Sequence, residues 1–199
     1  MKYILLLMLT LTLYAQNDFS ARILYGNATN KALGDILIGD IGSHPENLSV
    51  TAFDMGYLLR RDAFDMPIDI YLKAGLSHFN EDDYSDVNEF VMYVKLLYKL
   101  DFANNRIRFG LGEGFSYASD ALRVEKLEAE TIEDGKTSKF LNYLDITLDF
   151  DFGKLIRYKP LEETYLGLAL KHRSGIYGLV NGVTKGGSNY NSIYIEKNF

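Results

Sequence analysis

The sequence contains no cysteine and no tryptophan, and only three prolines and three histidines among its 199 residues. Without cysteine, the chain forms no disulfide, thiolate metal site, cysteine nucleophile or acylated lipoprotein terminus. Because each proline removes a donor from a strand ladder, so few prolines leave long strands uninterrupted. The net charge of −6 provides no broad basic surface, so we expect no nucleic-acid partner.

The chain is rich in residues that favour strands, with 15 tyrosines and 12 phenylalanines. Its hydrophobic fraction of 47% is too high for a mainly disordered chain. Its mean hydropathy of −0.09 is too low for a bundle of membrane helices. The composition therefore indicates a β-rich folded protein.

A positive residue and a short apolar run open the chain. Lys2 precedes the run 4–13, and Ala15 supplies a small residue at a plausible cleavage position. The run is too short to cross a bilayer as a helix, which needs roughly 20 residues. We predict that residues 1–15 are a secretory signal peptide and that residues 16–199 form the mature domain. The alternative is a buried first helix or strand of a cytosolic protein.

Long stretches of the chain alternate between apolar and polar residues with a period of two, which is the period of a strand. The clearest stretches are 66–76, 88–100, 105–117 and 140–152. Soluble strands average roughly 5–6 residues, whereas strands that cross a membrane need roughly 9–11. The lengths therefore favour a membrane barrel over a soluble one.

Eight strands account for the pattern and predict an all-β, eight-stranded antiparallel transmembrane barrel. Long and short connections alternate, as in outer-membrane barrels, so both termini are expected in the periplasm of a bacterium. Residues 33–40 are either a further piece of strand or part of the first loop. Residues 123–136 are predicted to form a short helix with a solvated, charged surface. The predicted strands are 19–28, 47–60, 66–78, 87–101, 105–118, 138–153, 163–176 and 188–199.

The last strand ends in Phe199, with apolar residues at alternate positions before it. This ending resembles the closing strand of bacterial outer-membrane barrels, so we expect the barrel assembly machinery to bind it.

The alternation also assigns the two surfaces of the barrel wall. Charged residues of the polar set should fill the lumen and pair there. The apolar set should face lipid. The predicted lumen residues are Lys95, Lys99, Arg108, Asp145 and Asp149, and the predicted lipid-facing residues are Leu144, Ile146, Leu148, Leu166, Leu168 and Leu170.

Polar residues interrupt the apolar face on four neighbouring strands. His172 and Ser174 follow the leucines of strand seven towards its outer end. A polar side chain that faces lipid costs free energy without a partner, so a cluster of them suggests a site. The alternative is an ordinary interfacial band of polar residues. The other interrupting residues are Glu113 on strand five, Asn142 on strand six, and Asn189 and Asn191 on strand eight.

A histidine and a serine two positions apart on one strand face can form an activated serine nucleophile. A third group should orient the imidazole ring. Asn189 or Asn191 could do this from the adjacent strand. Glu113 lies two strands away, at about 10 Å, and would need a relay or a strong register shift.

The segment His172–Arg173–Ser174, late in strand seven, resembles the His-x-Ser motif of outer-membrane lipid A 3-O-deacylases, the PagL-like family. The resemblance implies that Ser174 is the nucleophile, that His172 is the general base, and that the substrate is an acylated lipid or lipopolysaccharide of the outer leaflet. The family carries its acid, a glutamate, on the last strand, where this chain has Asn189 and Asn191. We expect Asn142, Phe115, Phe140 and Ile176 to bind the substrate, with specificity from apolar grooves among the last three.

Two functions remain open at this point. The first is an outer-membrane serine esterase, and the second is a non-catalytic structural or surface-binding barrel. A general porin is disfavoured because side chains fill so small a barrel. We expect no cofactor and no metal, since His44, His78 and His172 are far apart in sequence.

Overall fold

The structure is a computed structural model that describes residues 18–185 and 187–199. The predicted signal peptide, residues 1–15, lies outside the described residues. No helix in the described parts of the chain is long and apolar enough to cross a membrane.

Eight antiparallel strands close into a barrel in which each strand pairs with its neighbours in sequence and β8 pairs with β1. The prediction of an eight-stranded antiparallel barrel is confirmed, and every strand end lies within three residues of its predicted position. The strands are β1 (Phe19–Thr29), β2 (Leu48–Arg60), β3 (Ile68–Glu81), β4 (Val87–Phe102), β5 (Asn105–Ala118), β6 (Phe140–Asp151), β7 (Thr164–Ser174) and β8 (Ser188–Asn198).

The two ends of the barrel differ, and we call them the loop end and the turn end. The loop end carries four connections, here named loops 1 to 4: residues 30–47, 82–86, 119–139 and 175–187. The turn end carries the three remaining connections and both ends of the described chain. There Phe199 and Phe19 exchange backbone hydrogen bonds of 2.8 and 3.3 Å.

Short helices occupy some of the connections. Residues 33–37 form helix α1, because the Ile36 N–H bonds to the Ala32 carbonyl rather than to a neighbouring strand. The alternative of a further strand piece at 33–40 is therefore wrong. The remaining helices are α2 (Arg123–Glu130), α3 (Phe152–Leu155) and the 3-10 turns Ala63–Asp65 and Lys159–Leu161.

Helix α2 confirms the short helix predicted in loop 3, but its surface is not simply solvated. Val124, Glu125 and Ala129 are buried, with Glu125 0% exposed. The helix lies across the mouth of the barrel, because Glu125 reaches the ends of β7 and β8 there. The expectation of a solvated surface is corrected on this point.

Charged side chains fill the lumen and pair with one another, as the alternation predicts. Asp145 bonds both Lys95, at 2.6 Å, and Arg22, at 3.0 Å. Arg108 bonds Asp149 at 2.8 Å. Removing one member of such a pair would leave the other charge buried alone, which is strongly destabilising. The lumen is a packed ionic core rather than a channel.

The outer wall carries the apolar set in rows that cross the strands. One row near the turn end contains Ile107, Phe150, Leu166 and Ile195. The next contains Leu148, Leu168 and Ile193, and Leu168 is 62% exposed. The predicted lipid-facing leucines therefore lie outside the barrel. Leu170, one row higher, is only 6% exposed, since the loops begin to cover the wall there.

Candidate functional site

The outer wall of β5–β8 changes from apolar to polar over three consecutive rows towards the loop end. We number the rows from the turn end, so that the row of Ile107 and Phe150 is the first. The third row ends in Asn191, which pairs with Leu170. The fourth runs from Glu113 through Leu144 to His172 and Asn189. The fifth sets Phe115, Asn142 and Ser174 side by side. The polar residues found in the sequence therefore occupy adjacent positions on one wall.

His172 is held by the residue directly opposite it on β8. Its Nδ1 atom lies 2.7 Å from Asn189 Oδ1. The amide of Asn189 is fixed in turn, because Asn189 Nδ2 donates to the Lys31 carbonyl of loop 1 at 2.9 Å. Three elements, β7, β8 and loop 1, thus define the position of the ring.

This chain of hydrogen bonds assigns the proton on the neutral imidazole. Since Asn189 uses its Nδ2 group as a donor to Lys31, its Oδ1 atom is the acceptor that faces His172. His172 Nδ1 must then carry the hydrogen. The lone pair is left on Nε2, which is the state required of a general base.

The other two candidate orienting residues lie elsewhere. Asn191 Nδ2 donates to the Ile41 carbonyl of loop 1 at 2.7 Å, one row below His172. Glu113 is exposed on β5, two strands from His172, and makes no hydrogen bond or ion pair among the described residues. Of the alternatives left open by the sequence, Asn189 is the residue that contacts the ring.

A cleft of about 610 Å³ opens over the polar rows, walled by loops 1, 3 and 4. Neither Asn191 nor Glu113 lines it, and neither do Phe115 and Phe140. His172 and Ser174 both line the cleft but form no hydrogen bond with each other. Of the predicted site residues, the cleft is lined by Asn142, His172, Ser174, Ile176 and Asn189.

Phe115 and Phe140 belong instead to an aromatic row beside the cleft. Their rings stack with centroids 5.8 Å apart, and Phe90 packs against Phe115 at 6.3 Å. Both phenylalanines are more than a third exposed on the outer wall. The predicted groove among Phe115, Phe140 and Ile176 is therefore divided, with Ile176 in the cleft and the two rings outside it.

Loop residues that the strand pattern could not reveal complete the cleft. Lys31 and His44 come from loop 1, Glu128 comes from α2, and Gly187 precedes β8. His44 and His172, distant in sequence, line the same cleft. Among the described residues, no group of three or more metal-ligating side chains is placed to hold a metal ion.

Gly187 packs closely on the two candidate catalytic residues. A β-carbon there would lie 2.6 Å from the Arg173 carbonyl oxygen, so the position accepts only glycine. The same β-carbon would lie 3.5 Å from His172 Cε1 and 3.6 Å from Ser174 Cβ. The Gly187 N–H donates to the Glu128 carboxylate at 3.0 Å. A backbone donor therefore points into the cleft beside the histidine–serine pair.

Helix α2 holds the wall of the cleft from the lumen side. Glu125 bonds Arg173, at 3.0 Å, and accepts the Ser188 hydroxyl, also at 3.0 Å. Arg173 separates His172 from Ser174, and Ser188 precedes Asn189. Burial raises the pKa of the Glu125 carboxyl to about 7, although Arg173 opposes this rise.

The backbone is strained immediately after Ser174. Ile176 and Tyr177 have φ angles of 46° and 53°. A β-branched residue rarely adopts this left-handed conformation, and such strain often accompanies functional sites. The backbone amides of Gly178 and Val180 bond the Gly175 carbonyl at 3.2 and 2.9 Å, which closes a tight turn. The turn places Ile176 on the cleft beside Ser174.

Known proteins resemble this chain in fold but not in sequence. No protein-family model and no curated protein sequence matches the chain. Among solved structures, the outer membrane enzyme PagL matches with a TM-score of 0.60 over 90% of this chain and 99% of that one, at 10% identity. Neisserial surface protein A (NspA) matches with a TM-score of 0.50 over 92% and 97%, at 12% identity. These similarities establish the barrel fold shared with the two proteins.

Proposed function

We propose that the chain is a bacterial outer-membrane serine esterase that removes an acyl chain from lipid A or a related acylated lipid. In this proposal the turn end faces the periplasm and the cleft lies at the level of the outer leaflet. The observation that carries it is the hydrogen-bonded series Lys31–Asn189–His172 in a cleft that also contains Ser174.

The surroundings of the cleft favour a lipid substrate. Large apolar side chains are exposed on the loops to either side: Leu37 and Ile38 in loop 1, and Tyr177 and Leu179 in loop 4. Ile38 is 85% and Tyr177 is 94% exposed. Exposed apolar patches of this kind mark membrane or ligand contact. An acylated lipid could reach the site by lateral diffusion in the leaflet.

In the proposed reaction, His172 Nε2 removes the Ser174 hydroxyl proton as Oγ attacks the ester carbonyl. The C–O bond to the lipid alcohol then breaks, and His172 returns the proton to that alcohol. Water hydrolyses the resulting acyl-serine, with His172 again as the base. Asn189 keeps the ring in the active tautomer. Backbone amides near Gly175 would be the donors to the oxyanion.

The test is mass spectrometry of lipid A, and of a generic long-chain ester, after exposure to the wild type and to Ser174→Ala and His172→Asn. Both substitutions should reduce acyl release at least about a thousandfold. Ser49→Ala, which changes an outward serine at the loop end of β2, is the matched control and should leave release unchanged. An active Ser174→Ala protein would refute the nucleophile assignment, and an inactive wild type would refute the esterase.

The second candidate function is a non-catalytic structural or surface-binding barrel. Two observations favour it: His172 has no carboxylate partner among the described residues, and the fold is shared with a surface protein as well as with an enzyme. In that case the polar rows form an interfacial rim, and the wild type releases no acyl chain.

A further inference from the structure

A second cavity, of about 920 Å³, lies on the outer wall at the turn end, far from His172 and Ser174. One side is the β4–β5 turn with the adjoining residues Phe102 and Asn105. The other side is α3 and the segment that follows it. The floor is formed by Ile107 of β5 and Phe150 of β6, which belong to the apolar row nearest the turn end.

Three cations line this cavity: Lys154, Arg157 and Lys159. None of them forms an ion pair within the described residues. In contrast, the cations of the lumen, such as Arg22 and Arg108, are all paired. Glu162 is the one carboxylate among the residues that line the cavity. The cavity therefore carries an excess of two positive charges.

The cations stand on a segment that is fixed to the barrel. Asp151, which is 0% exposed, accepts the Lys154 N–H and the Glu163 N–H, each at 2.9 Å. These two bonds hold the beginning and the end of the segment at one point. Arg157 occupies a left-handed conformation, with a φ angle of 55°. The positive charges are thus displayed in a defined arrangement.

An apolar trough of about 810 Å³ continues from the cavity along the outer wall towards the middle of the barrel. Ile107 and Phe150 line both hollows. The trough is otherwise lined largely by aliphatic side chains of β6, β7 and β8, including Leu166, Leu168 and Ile193. A charged head site therefore leads directly into an apolar channel on the lipid-facing wall.

We infer that this paired hollow binds one anionic phospholipid, with its phosphate on Lys154, Arg157 and Lys159 and an acyl chain in the trough. Cations near a bilayer surface attract anionic headgroups, and a trough beside them orders the chain. The inference rests on the membrane location in the proposed function but not on the esterase. It assigns a lipid-binding site to the end of the barrel opposite the cleft.

The absence of tryptophan from the chain allows a local test. Phe102→Trp places one indole at the cavity, and Leu155→Trp, also at the cavity, is the second reporter. Phe53→Trp, on the outer wall of β2 on the far side of the barrel, is the control. The proteins are inserted into phosphatidylcholine vesicles that contain acyl-brominated phosphatidylglycerol or acyl-brominated phosphatidylcholine, and the quenching of fluorescence is compared.

We expect brominated phosphatidylglycerol to quench the cavity reporters with an apparent affinity roughly fivefold above that of brominated phosphatidylcholine. Phe53→Trp should show no preference. Replacing Lys154, Arg157 and Lys159 with glutamine should abolish the preference, whereas the same replacement of Arg60, Lys136 and Lys139 should preserve it. Equal quenching by the two lipids at both cavity reporters would overturn the inference.

Two further outcomes distinguish a lipid site from a phosphate site and from a failure of membrane insertion. Complete loss of the preference on addition of inorganic phosphate would overturn the lipid assignment and leave a phosphate site. Protein that inserts normally but shows no lipid preference would contradict this inference alone, whereas failure of wild type to insert would contradict the membrane location itself. Acyl release is not measured, so an inactive esterase does not affect the result.

Discussion

The two halves of the β5–β8 outer wall are built on the same strands with the same alternation, yet they differ in chemistry. Near the turn end the rows are aliphatic, as in Leu148, Leu168 and Ile193. Near the loop end the rows contain Asn142, His172 and Asn189 instead. The lower rows need nothing but apolar surroundings, whereas the upper rows are stabilised by loop groups. Loops 1, 3 and 4 form the cleft over Asn142, His172 and Asn189, whereas Glu113, in the same upper rows, stays exposed beside it.

The largest expected difference between the halves concerns an inserted charge. Leu168→Arg should reduce the free energy of unfolding by about 2–4 kcal/mol, since the arginine meets lipid without a partner. Asn142→Arg, in the fifth row, should cost roughly 0–1 kcal/mol, because the headgroup region is near. Denaturant unfolding in phospholipid vesicles measures both values. Equal losses would show that the wall is uniform and that the comparison is wrong.

The next largest effect is a difference in acyl release between substitutions of the two asparagines of β8, Asn189 and Asn191. Asn189→Ala removes the group that fixes the His172 tautomer and should lower acyl release by roughly a hundredfold. Asn191→Ala, one row lower, should leave the rate within about threefold of wild type. Asn189→Asp keeps an oxygen acceptor and should restore most of the rate. Initial rates on a long-chain ester provide the measurement, and equal loss in Asn189→Ala and Asn191→Ala would contradict the assignment.

A smaller effect should appear as a pH dependence of the closure of loop 3, which carries Glu125. With loop 3 closed over the barrel mouth, as in the structure, burial raises the pKa of Glu125 to about 7, and in a loop that opened into water the pKa would return to its ordinary value near 4.5. The closed form therefore binds the proton more tightly. Closure is strongest below about pH 4.5 and weakens as the pH rises through 7. Limited proteolysis of loop 3 should accelerate on the order of fiftyfold between pH 5 and pH 8.

Glu125→Gln should remove most of this pH dependence, because the amide does not titrate. Glu130→Gln, an exposed position on the same helix, is the matched control and should retain it. A profile in Glu125→Gln identical to that of wild type would assign the effect to another group.

The smallest effect concerns the backbone donor in the cleft. Glu128→Gln replaces a charged acceptor of the Gly187 N–H with a neutral one, and bonds to charged acceptors are the stronger. Hydrogen exchange at Gly187 should accelerate about fivefold or less. Exchange measured by NMR in detergent micelles is the readout, and unchanged exchange would show that the carboxylate does not hold this amide.

The fold could be predicted from the sequence because every strand of a barrel alternates between lumen-facing and outward-facing residues. Period-two alternation located the strands, and it also assigned Asp145 to the lumen and Leu168 to the wall. Neighbouring strands then brought His172 and Asn189 together. Sequence left Asn191 as an equal alternative, since only the register decides which asparagine stands opposite the ring.

The loops escaped prediction for physical reasons. Lys31 contributes only a backbone carbonyl, which no side-chain pattern reveals. Glu125 lies in a charged helix whose composition indicates a solvated surface, and only its docking across the barrel mouth buries it. The cleft thus depends on long-range contacts between strands and loops. Alternation predicts the strands, but it does not predict where the loops lie.

The bond between Asn189 and the Lys31 carbonyl has a consequence for the timing of any chemistry at His172. If loop 1 lifts away, the amide of Asn189 is free to rotate by half a turn and to present its NH₂ group to the imidazole. The ring must then carry its hydrogen on Nε2, the nitrogen that would otherwise accept one. The position of the loop 1 backbone thereby determines which ring nitrogen of His172 carries the proton.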